Sequence, residues 1–304
     1  MRVGILCDNR RWANRREPFR AIADGLRRLG HHVSVSSGTH WPPWGRMPEV
    51  AVLWNGVHGS SGRVRAHLRR SGAATLILER GFFDRANHTQ IDHTGFNHTA
   101  SWTRGLDAPA PPNARRRLER CWGPRRPVAP RRKGWVLVMG QVPGDAQLAD
   151  CELRHAAPLV RAIEDATPES IEIRFRPHPL ARAAEPAMRR ARPATGSLAD
   201  AVAGARFAVT INSGAGNEAL AMGCPVLCLG PALYATAGVA LRSRLVDLPT
   251  RIALMLRGYH PAPGRVENYL QHLACRQWTP HELAQGDALA GLLEAARKES
   301  PDAI

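Results

Sequence analysis

Three short segments carry residue types that could bind a phosphate and do chemistry beside it. In the first, an apolar run from Phe207 to Ile211 breaks into Asn212-Ser213-Gly214-Ala215-Gly216-Asn217-Glu218 and a helical period follows to Met222. A strand, a small polar turn and a helix start suit an anion. Backbone N–H groups lie open at a helix N-terminus, and Gly214 and Gly216 would let a phosphate come close. Glu218, in the first helical turn, is placed to accept from ribose hydroxyls. A plain strand-to-helix turn fits the same residues, and GxGxxG is absent here and after the first strand. The second segment, Arg174-Phe175-Arg176-Pro177-His178-Pro179, ends another strand, where open α/β sheets bind ligands. Two prolines fix the backbone around His178, and Arg176 adds fixed charge. In the third, Gly140-Gln141-Val142-Pro143-Gly144-Asp145 follows a further strand end. A carboxylate at Asp145 could serve as nucleophile or base, or it could simply cap a turn.

The N-terminal half offers a different chemistry. Asp8 to Arg16 holds Arg10, Arg11, Arg15 and Arg16 around Trp12. Arginines for phosphates and an aromatic for a base are the ingredients of nucleic-acid binding, and a solvated basic loop has the same composition. Trp122 among Arg120, Arg125 and Arg126 repeats the theme. Glu79-Arg80-Gly81-Phe82-Phe83-Asp84-Arg85 and Gln90-Ile91-Asp92-His93-Thr94-Gly95-Phe96-Asn97 follow a strand end. Glu79, Asp84 and Asp92 are candidate bases there, with Arg80, Arg85, His93 and Asn97 beside them. The other reading is an ordered loop whose charges pair internally, Glu79 with Arg80 or Arg85. His88, His93 and His98 stand five apart, which does not stack on a helical face, and neither HExxH nor a strand-end DxD is present. No metal site is expected.

The elements that must position these residues alternate. Strands are predicted at Arg2–Cys7, His32–Ser36, Glu49–Trp54 and Ala74–Leu78, with helices at Pro18–Leu29 and Arg63–Arg70. The rhythm restarts with strands at Trp135–Met139, Ile171–Arg176, Phe207–Ile211 and Pro225–Leu229, and helices at Leu153–Ala166, Leu198–Gly204 and Ala215–Met222. Between the halves, residues 104–133 hold six prolines, ten basic residues and two acidic ones, and a short helix near Ala114–Cys121. The expected fold is α/β: two Rossmann-like domains facing a cleft, 1–103 and 134–304, joined by a basic linker at 104–133, with a helical C-terminal tail in the second domain.

Composition narrows the class. A chain of 304 residues with 44% apolar and 22% charged residues is globular. No apolar stretch reaches a membrane span, and the start is too soon polar for a secretory signal. Six sparse cysteines without CxxC spacing read as reduced thiols, and the expected location is cytoplasmic. The formal charge of +16 rests almost wholly on arginine, Lys133 and Lys298 being the two lysines. Residues 104–133 carry half of it. Such an excess points to nucleic acid, an anionic membrane face or a phosphate-rich substrate.

The order of the motifs resembles a known family. Gln141…Asp145, Arg176-Pro177-His178-Pro179, Ser213…Glu218-Ala219-Leu220…Gly223…Pro225-Val226 and Gly230…Tyr234…Gly238 are similar to the capsule polysaccharide biosynthesis family. These are GT-B-type glycosyltransferases that include Kdo transferases using CMP-Kdo. Tyr269-Leu270…Leu273…Gln277-Trp278…Glu282-Leu283…Gly286 also resembles theirs, so the likeness covers about 135–290. It implies a metal-independent glycosyltransferase with a UDP- or CMP-linked sugar as co-substrate and no cofactor. His178, Ser213 and Glu218 would hold the donor, with Gly140, Gln141, Arg176, Asn212, Gly214, Gly216 and Asn217 around it. Asp145 would be the catalytic carboxylate, in a covalent role if the reaction retains configuration. The leaving phosphate would be stabilised by His178 and helix N–H groups.

The N-terminal half departs from what matches the capsule enzymes, and in a GT-B protein that half selects the acceptor. Arg10, Arg11, Trp12, Arg15, Arg16, Glu79, Arg80, Asp84, Arg85, Asp92, His93 and Asn97 are its candidate acceptor residues. The charge and the Arg/Trp patches favour DNA, with sugar added to a hydroxymethylated pyrimidine by a phage-type enzyme in host cytoplasm, the base extruded for reaction. A second reading is a capsule or lipopolysaccharide transferase that docks peripherally on anionic lipid. A third is a non-catalytic nucleic-acid-binding protein on a GT-B scaffold, against which the intact set Asp145, His178, Ser213 and Glu218 argues.

Overall fold

The computed structural model describes residues 1–14, 17–37, 44–57, 59–123, 133–181 and 186–299. The chain divides into two compact units, Met1–Gly105 with the chain from Leu273 onward, and Leu106–His272.

In the first unit the chain runs β1 (Arg2–Leu6), α1 (Asn9–Ala13), α2 (Phe19–Arg28), β2 (His32–Ser36), β3 (Val50–Trp54), α3 (Gly59–Arg70), β4 (Ala74–Arg80) and β5 (Thr89–Asp92). The sheet order is β2-β1-β3-β4-β5. β1 pairs in parallel with β2 and β3, and β3 with β4, while β5 returns antiparallel to β4. Runs such as Val50-Ala51-Val52-Leu53 are apolar on both faces because helices cover both faces of a parallel sheet.

The second unit holds α4 (Ala114–Trp122), β6 (Trp135–Met139), α5 (Ala156–Ala166), β7 (Ile173–Arg176), β8 (Arg192–Pro193), α6 (Leu198–Ala203), β9 (Ala205–Thr210), α7 (Ala215–Ala221), β10 (Val226–Cys228), α8 (Leu233–Thr236), β11 (Leu241–Arg242), α9 (Leu248–Leu256) and most of α10 (Pro263–Cys275). Its sheet, β11-β10-β9-β6-β7-β8, is parallel at every pair. Counted from β6 as the first strand, that is the doubly wound order 3-2-1-4-5-6. The order reverses between β6 and β9, so a crevice opens at their C-terminal ends. Its core gathers Val136, Val138, Leu159, Ile163, Phe175, Phe207, Val209, Leu227 and Ile252.

The predicted rhythm is observed, and the tail differs in place. α10 crosses the division between the units, and α11 (Pro280–Gln285) and α12 (Asp287–Lys298) pack on the first unit rather than extending the second. Leu283, Leu289, Leu293 and Ala296 complete the core of Val3, Ile5, Phe19, Ile22 and Leu26. Gly25 shows how close the fit is: a Cβ there would lie 2.1 Å from the Leu283 carbonyl oxygen. α2 is short of a side chain at that point so that α11 can reach it. Periodicity marks the apolar face of a helix and not which sheet the face meets. All six cysteines are free thiols.

Candidate functional site

The C-terminal edge of the second sheet brings the three phosphate-binding candidates together. β9, β6 and β7 are neighbours, so the segments after Thr210, Met139 and Arg176 leave the sheet side by side. Two bonds tie them. The Gly140 N–H donates to the Arg176 carbonyl at 2.8 Å, and Gln141 Nε2 donates to Asn212 Oδ1 at 2.9 Å across the point where strand order reverses. Gly140 is packed tightly, since a Cβ would stand 3.2 Å from Phe175.

Gln141 and Asn212 are structural. Both are buried, and Asn212 Nδ2 donates to the carbonyls of Gln147 (2.7 Å) and Pro231 (3.1 Å) and to Cys151 Sγ (3.2 Å). The Asn212 side chain thereby joins its own turn to the β6–α5 connection and to the segment after β10. Gly216 is likewise a packing residue: a Cβ would lie 2.5 Å from the Tyr234 ring. The expected open N–H groups of α7 are occupied. Ala215 N donates to Ser213 Oγ (3.4 Å), Gly216 N to the Ser213 carbonyl (3.0 Å) and Asn217 N to the Gly214 carbonyl (3.0 Å). Asn217 is buried and accepts from the Tyr269 hydroxyl at 2.6 Å, which seats α10 on α7. Burial pushes the Tyr234 and Tyr269 phenols well up, so both stay neutral donors, Tyr234 to the Ser213 carbonyl at 3.1 Å. Ser213 is buried, whereas Gly214 and Glu218 are partly exposed beside it.

Asp145, His178 and Arg176 are half-buried on this same edge. Asp145 caps a 3-10 turn, one carboxylate oxygen accepting the Gln147 N–H at 2.9 Å. That bond fixes the side chain's rotamer. His178 Nδ1 accepts the Leu180 N–H at 3.1 Å, so the neutral ring carries its proton on Nε2. Arg176 Nη1 donates to the Gly196 carbonyl at 2.7 Å, which anchors one arm of the guanidinium.

The first sheet's order also reverses, between β1 and β3, and a charged cluster stands at those strand ends. Trp54, the last residue of β3, has the Arg11 guanidinium 4.6 Å from its ring centroid and that of Arg80, the last residue of β4, at 5.2 Å. Phe19 packs on the indole at 6.1 Å. Arg80 Nη2 meets the buried Glu17 Oε1 at 2.7 Å. Glu79 Oε1 accepts the Arg80 N–H at 2.8 Å. The aromatic among the arginines is therefore Trp54. Trp12 lies under Arg20 instead, at 5.6 Å, and Arg10 and Arg85 project into solvent. Arg15 and Arg16 lie outside the described residues, as do Arg125 and Arg126.

Asp92 is not a base. It is buried, its Oδ1 accepts from Thr94 N, Thr94 Oγ1, Gly95 N and Ser101 N, and its Oδ2 accepts from Ser101 Oγ at 2.6 Å. A carboxylate so committed organises the loop. Asp84 turns the chain with φ +43° and binds Asn87. Asn97, at φ +52°, is held at both its N–H and its side-chain oxygen by Gln90. His93 Nε2 faces Glu299 of the C-terminal segment at 3.2 Å. Sequence reasoning missed Glu17 and the role of Trp54, whose one signal was an aromatic closing an apolar strand; Gln90 and Gln277 were quoted within longer motifs without a role of their own.

The capsule polysaccharide biosynthesis protein family matches residues 194–251, the stretch that contains β9, the Asn212–Gly214 turn and α7. No curated protein matches the chain. Among solved structures, the KpsC beta Kdo 2,4 transferase of Thermosulfurimonas dismutans superposes with a TM-score of 0.57 at 18% identity, over 91% of this chain and 90% of that one. The KpsC beta Kdo 2,7 transferase of the same organism gives 0.56 at 16%, over 95% and 99%. The chain has the α/β fold of these two Kdo transferases, and the stretch 194–251, which holds the switch-point strand β9 and helix α7, is similar to the capsule polysaccharide biosynthesis family.

Proposed function

We propose that this chain is a glycosyltransferase of the capsule type, moving an acidic sugar such as Kdo from its CMP-linked donor to a glycolipid. One observation supports the reading: the segments that carry Asp145 and Arg176-Pro177-His178 leave the adjacent strands β6 and β7 at the C-terminal edge of a doubly wound sheet, next to its switch point and to a stretch similar to the capsule family. The nucleotide lies in that crevice, with Ser213, Gly214 and Glu218 lining it. As the bond from the anomeric carbon to the phosphate oxygen breaks, the electron pair goes to the leaving nucleotide. His178 Nε2–H and the Arg176 guanidinium face that developing charge, the role in which a placed donor contributes most. Asp145 supplies the carboxylate, either bonding to the anomeric carbon or taking the acceptor hydroxyl's proton. Capping by the Gln147 N–H holds it oriented. The acceptor is taken by the first unit around Glu79 and Arg80.

A DNA acceptor is a second reading, favoured by the formal charge of +16. The cluster at Trp54 weakens it, because one of its two arginines is already paired with Glu17. The test offers CMP-Kdo and a panel of UDP-sugars with a Kdo-terminated glycolipid and, separately, with hydroxymethylpyrimidine DNA, and reads products by mass spectrometry. Mass gain on the glycolipid, abolished in Asp145→Asn while CMP still binds, is the expected result. Gain on a nucleoside alone would replace it with the DNA reading.

A further inference from the structure

The Gln277-Trp278 pair has no part in the donor site, yet Gln277 is among the most enclosed polar residues of the chain, with no exposed surface. It sits between α10 and α11 and spends its amide on the backbone that follows β4. Oε1 accepts from Phe82 N at 2.6 Å and Phe83 N at 2.9 Å, and Nε2 donates to the Phe83 carbonyl at 3.2 Å. Trp278 locks the register, exchanging both backbone bonds with Thr89 at 2.9 Å. Gly81 lies between these contacts. A Cβ there would stand 2.7 Å from His88 Cβ and 2.9 Å from Gln277 Oε1, so the loop passes against the amide without a side chain.

A second buried glutamine works from the other side. Gln90 Nε2 donates to the Arg80 carbonyl at 2.8 Å and to Asn97 Oδ1 at 3.0 Å. The peptide leaving Arg80 is thus gripped by two side-chain amides, one at residue 80 and one at residues 82–83. A buried amide that is satisfied on both its donor and acceptor sides specifies one backbone conformation, because any shift strands a polar group in the interior. What this grip orients is the end of β4, where the Arg80 guanidinium lies over Trp54 and the Glu79 carboxylate accepts the Arg80 N–H.

We propose that Gln277 is a positioning residue for the acceptor. By fixing the turn at Gly81–Phe83 it sets where Glu79 and Arg80 stand, without touching substrate itself. The inference rests on the glycosyltransferase reading for the identity of the acceptor.

Gln277→Glu and Gln277→Met separate the parts of the grip. The carboxylate keeps an acceptor for Phe82 and Phe83 N–H and loses the donor to Phe83. The thioether loses both at nearly unchanged volume. Steady-state transfer is measured with the glycolipid and the donor varied in turn, along with CMP affinity and amide hydrogen exchange at residues 82 and 83. Expected is a rise in acceptor KM of about tenfold in Gln277→Met and a smaller rise in Gln277→Glu, with faster exchange at both amides and unchanged CMP affinity and donor KM. A merely structural role would lower the active fraction and leave both KM values alone. That result, or fast exchange at residues 82–83 with wild-type acceptor KM, overturns the proposal. Wild-type protein inert with every donor and acceptor would instead defeat the underlying reading, and this inference with it.

Discussion

The two sheets reverse their strand order in the same way, yet the two switch points are built from opposite chemistry. At β6 and β9 the strand ends are joined by neutral amides, with Gln141 bonded to Asn212 and Asn212 bonded to three more residues. At β1 and β3 the strand ends meet over an indole flanked by two guanidinium groups and one buried carboxylate. Neutral amides hold geometry without setting up a field, which suits a crevice whose ligand brings its own charge. The charged cluster has a field of its own, and Arg11 adds a cation to the neutralised Arg80–Glu17 pair. The switch point of the second unit is built from placed neutral donors and acceptors, and that of the first from charge.

The largest expected effect falls on the amide side. His178→Ala removes the Nε2–H donor, and kcat should fall by about 10²- to 10³-fold, as for loss of one preorganised donor to developing charge. Single-turnover transfer at saturating donor measures it. A loss seen only in donor KM would make His178 a binding residue. Asn212→Asp should act on stability instead. It places a carboxylate against the carbonyls of Gln147 and Pro231, and the cost of such unpaired buried groups is about 3 kcal/mol. Urea unfolding would read that, and an unchanged midpoint would show the latch to be dispensable.

Much of this fold was legible because hydrophobic period is a local property. Apolar runs marked β1, β3, β4, β6 and β9, and the helical period marked α2 and α5 to within a few residues. Strand β5 was not visible, since Thr89-Gln90-Ile91-Asp92 is polar at all but Ile91 and is buried by partners that come from elsewhere. The three segments proposed for the donor do leave neighbouring strands, but the structural roles of residues within them were not legible. Asn212, Gly216 and Asn217 have the residue types of a phosphate loop and serve as joints, because Tyr234, Tyr269 and Gln141 reach them from outside the motif. Asp92 shows the same limit: nothing in its neighbourhood announces that Ser101 and the loop amides use up its oxygens. Long-range hydrogen bonds decide role, and spacing along the chain does not record them.

On the charged side the effects should be smaller. Glu17→Gln breaks the ion pair with Arg80 and leaves that cation uncompensated beside Arg11. Breaking a fully buried pair costs about 3–5 kcal/mol, but Arg80 is one-third exposed, so the loss should be nearer about 1–2 kcal/mol. Half a molar salt should narrow the gap between wild type and variant, whereas it should leave the Asn212→Asp difference untouched. Parallel denaturation at two ionic strengths would separate the two designs, and equal salt sensitivity in both variants would erase the contrast.

The smallest effect is a pH dependence away from both switch points. Glu164, at the end of α5, is buried, which raises its carboxyl pKa. The amides of Ala191 and Arg190, followed by the bonds from Arg189, outweigh that and leave the group below the ordinary carboxylate range. A carboxyl depressed on folding stabilises the native state above its unfolded pKa, and that contribution disappears as pH falls through the folded value. The unfolded chain takes up the proton first, so stability should decline from about pH 5 downward, the range in which free carboxyls titrate. Glu164→Gln should be less stable than wild type at pH 7 and flatter below pH 5, because the neutral amide has no proton to gain. Urea midpoints at half-unit steps between pH 7 and pH 3 give the two curves. Parallel curves would mean that the 189–191 amides hold the neutral acid as firmly as the anion, and Glu164 would then contribute nothing to the acid sensitivity of the second unit.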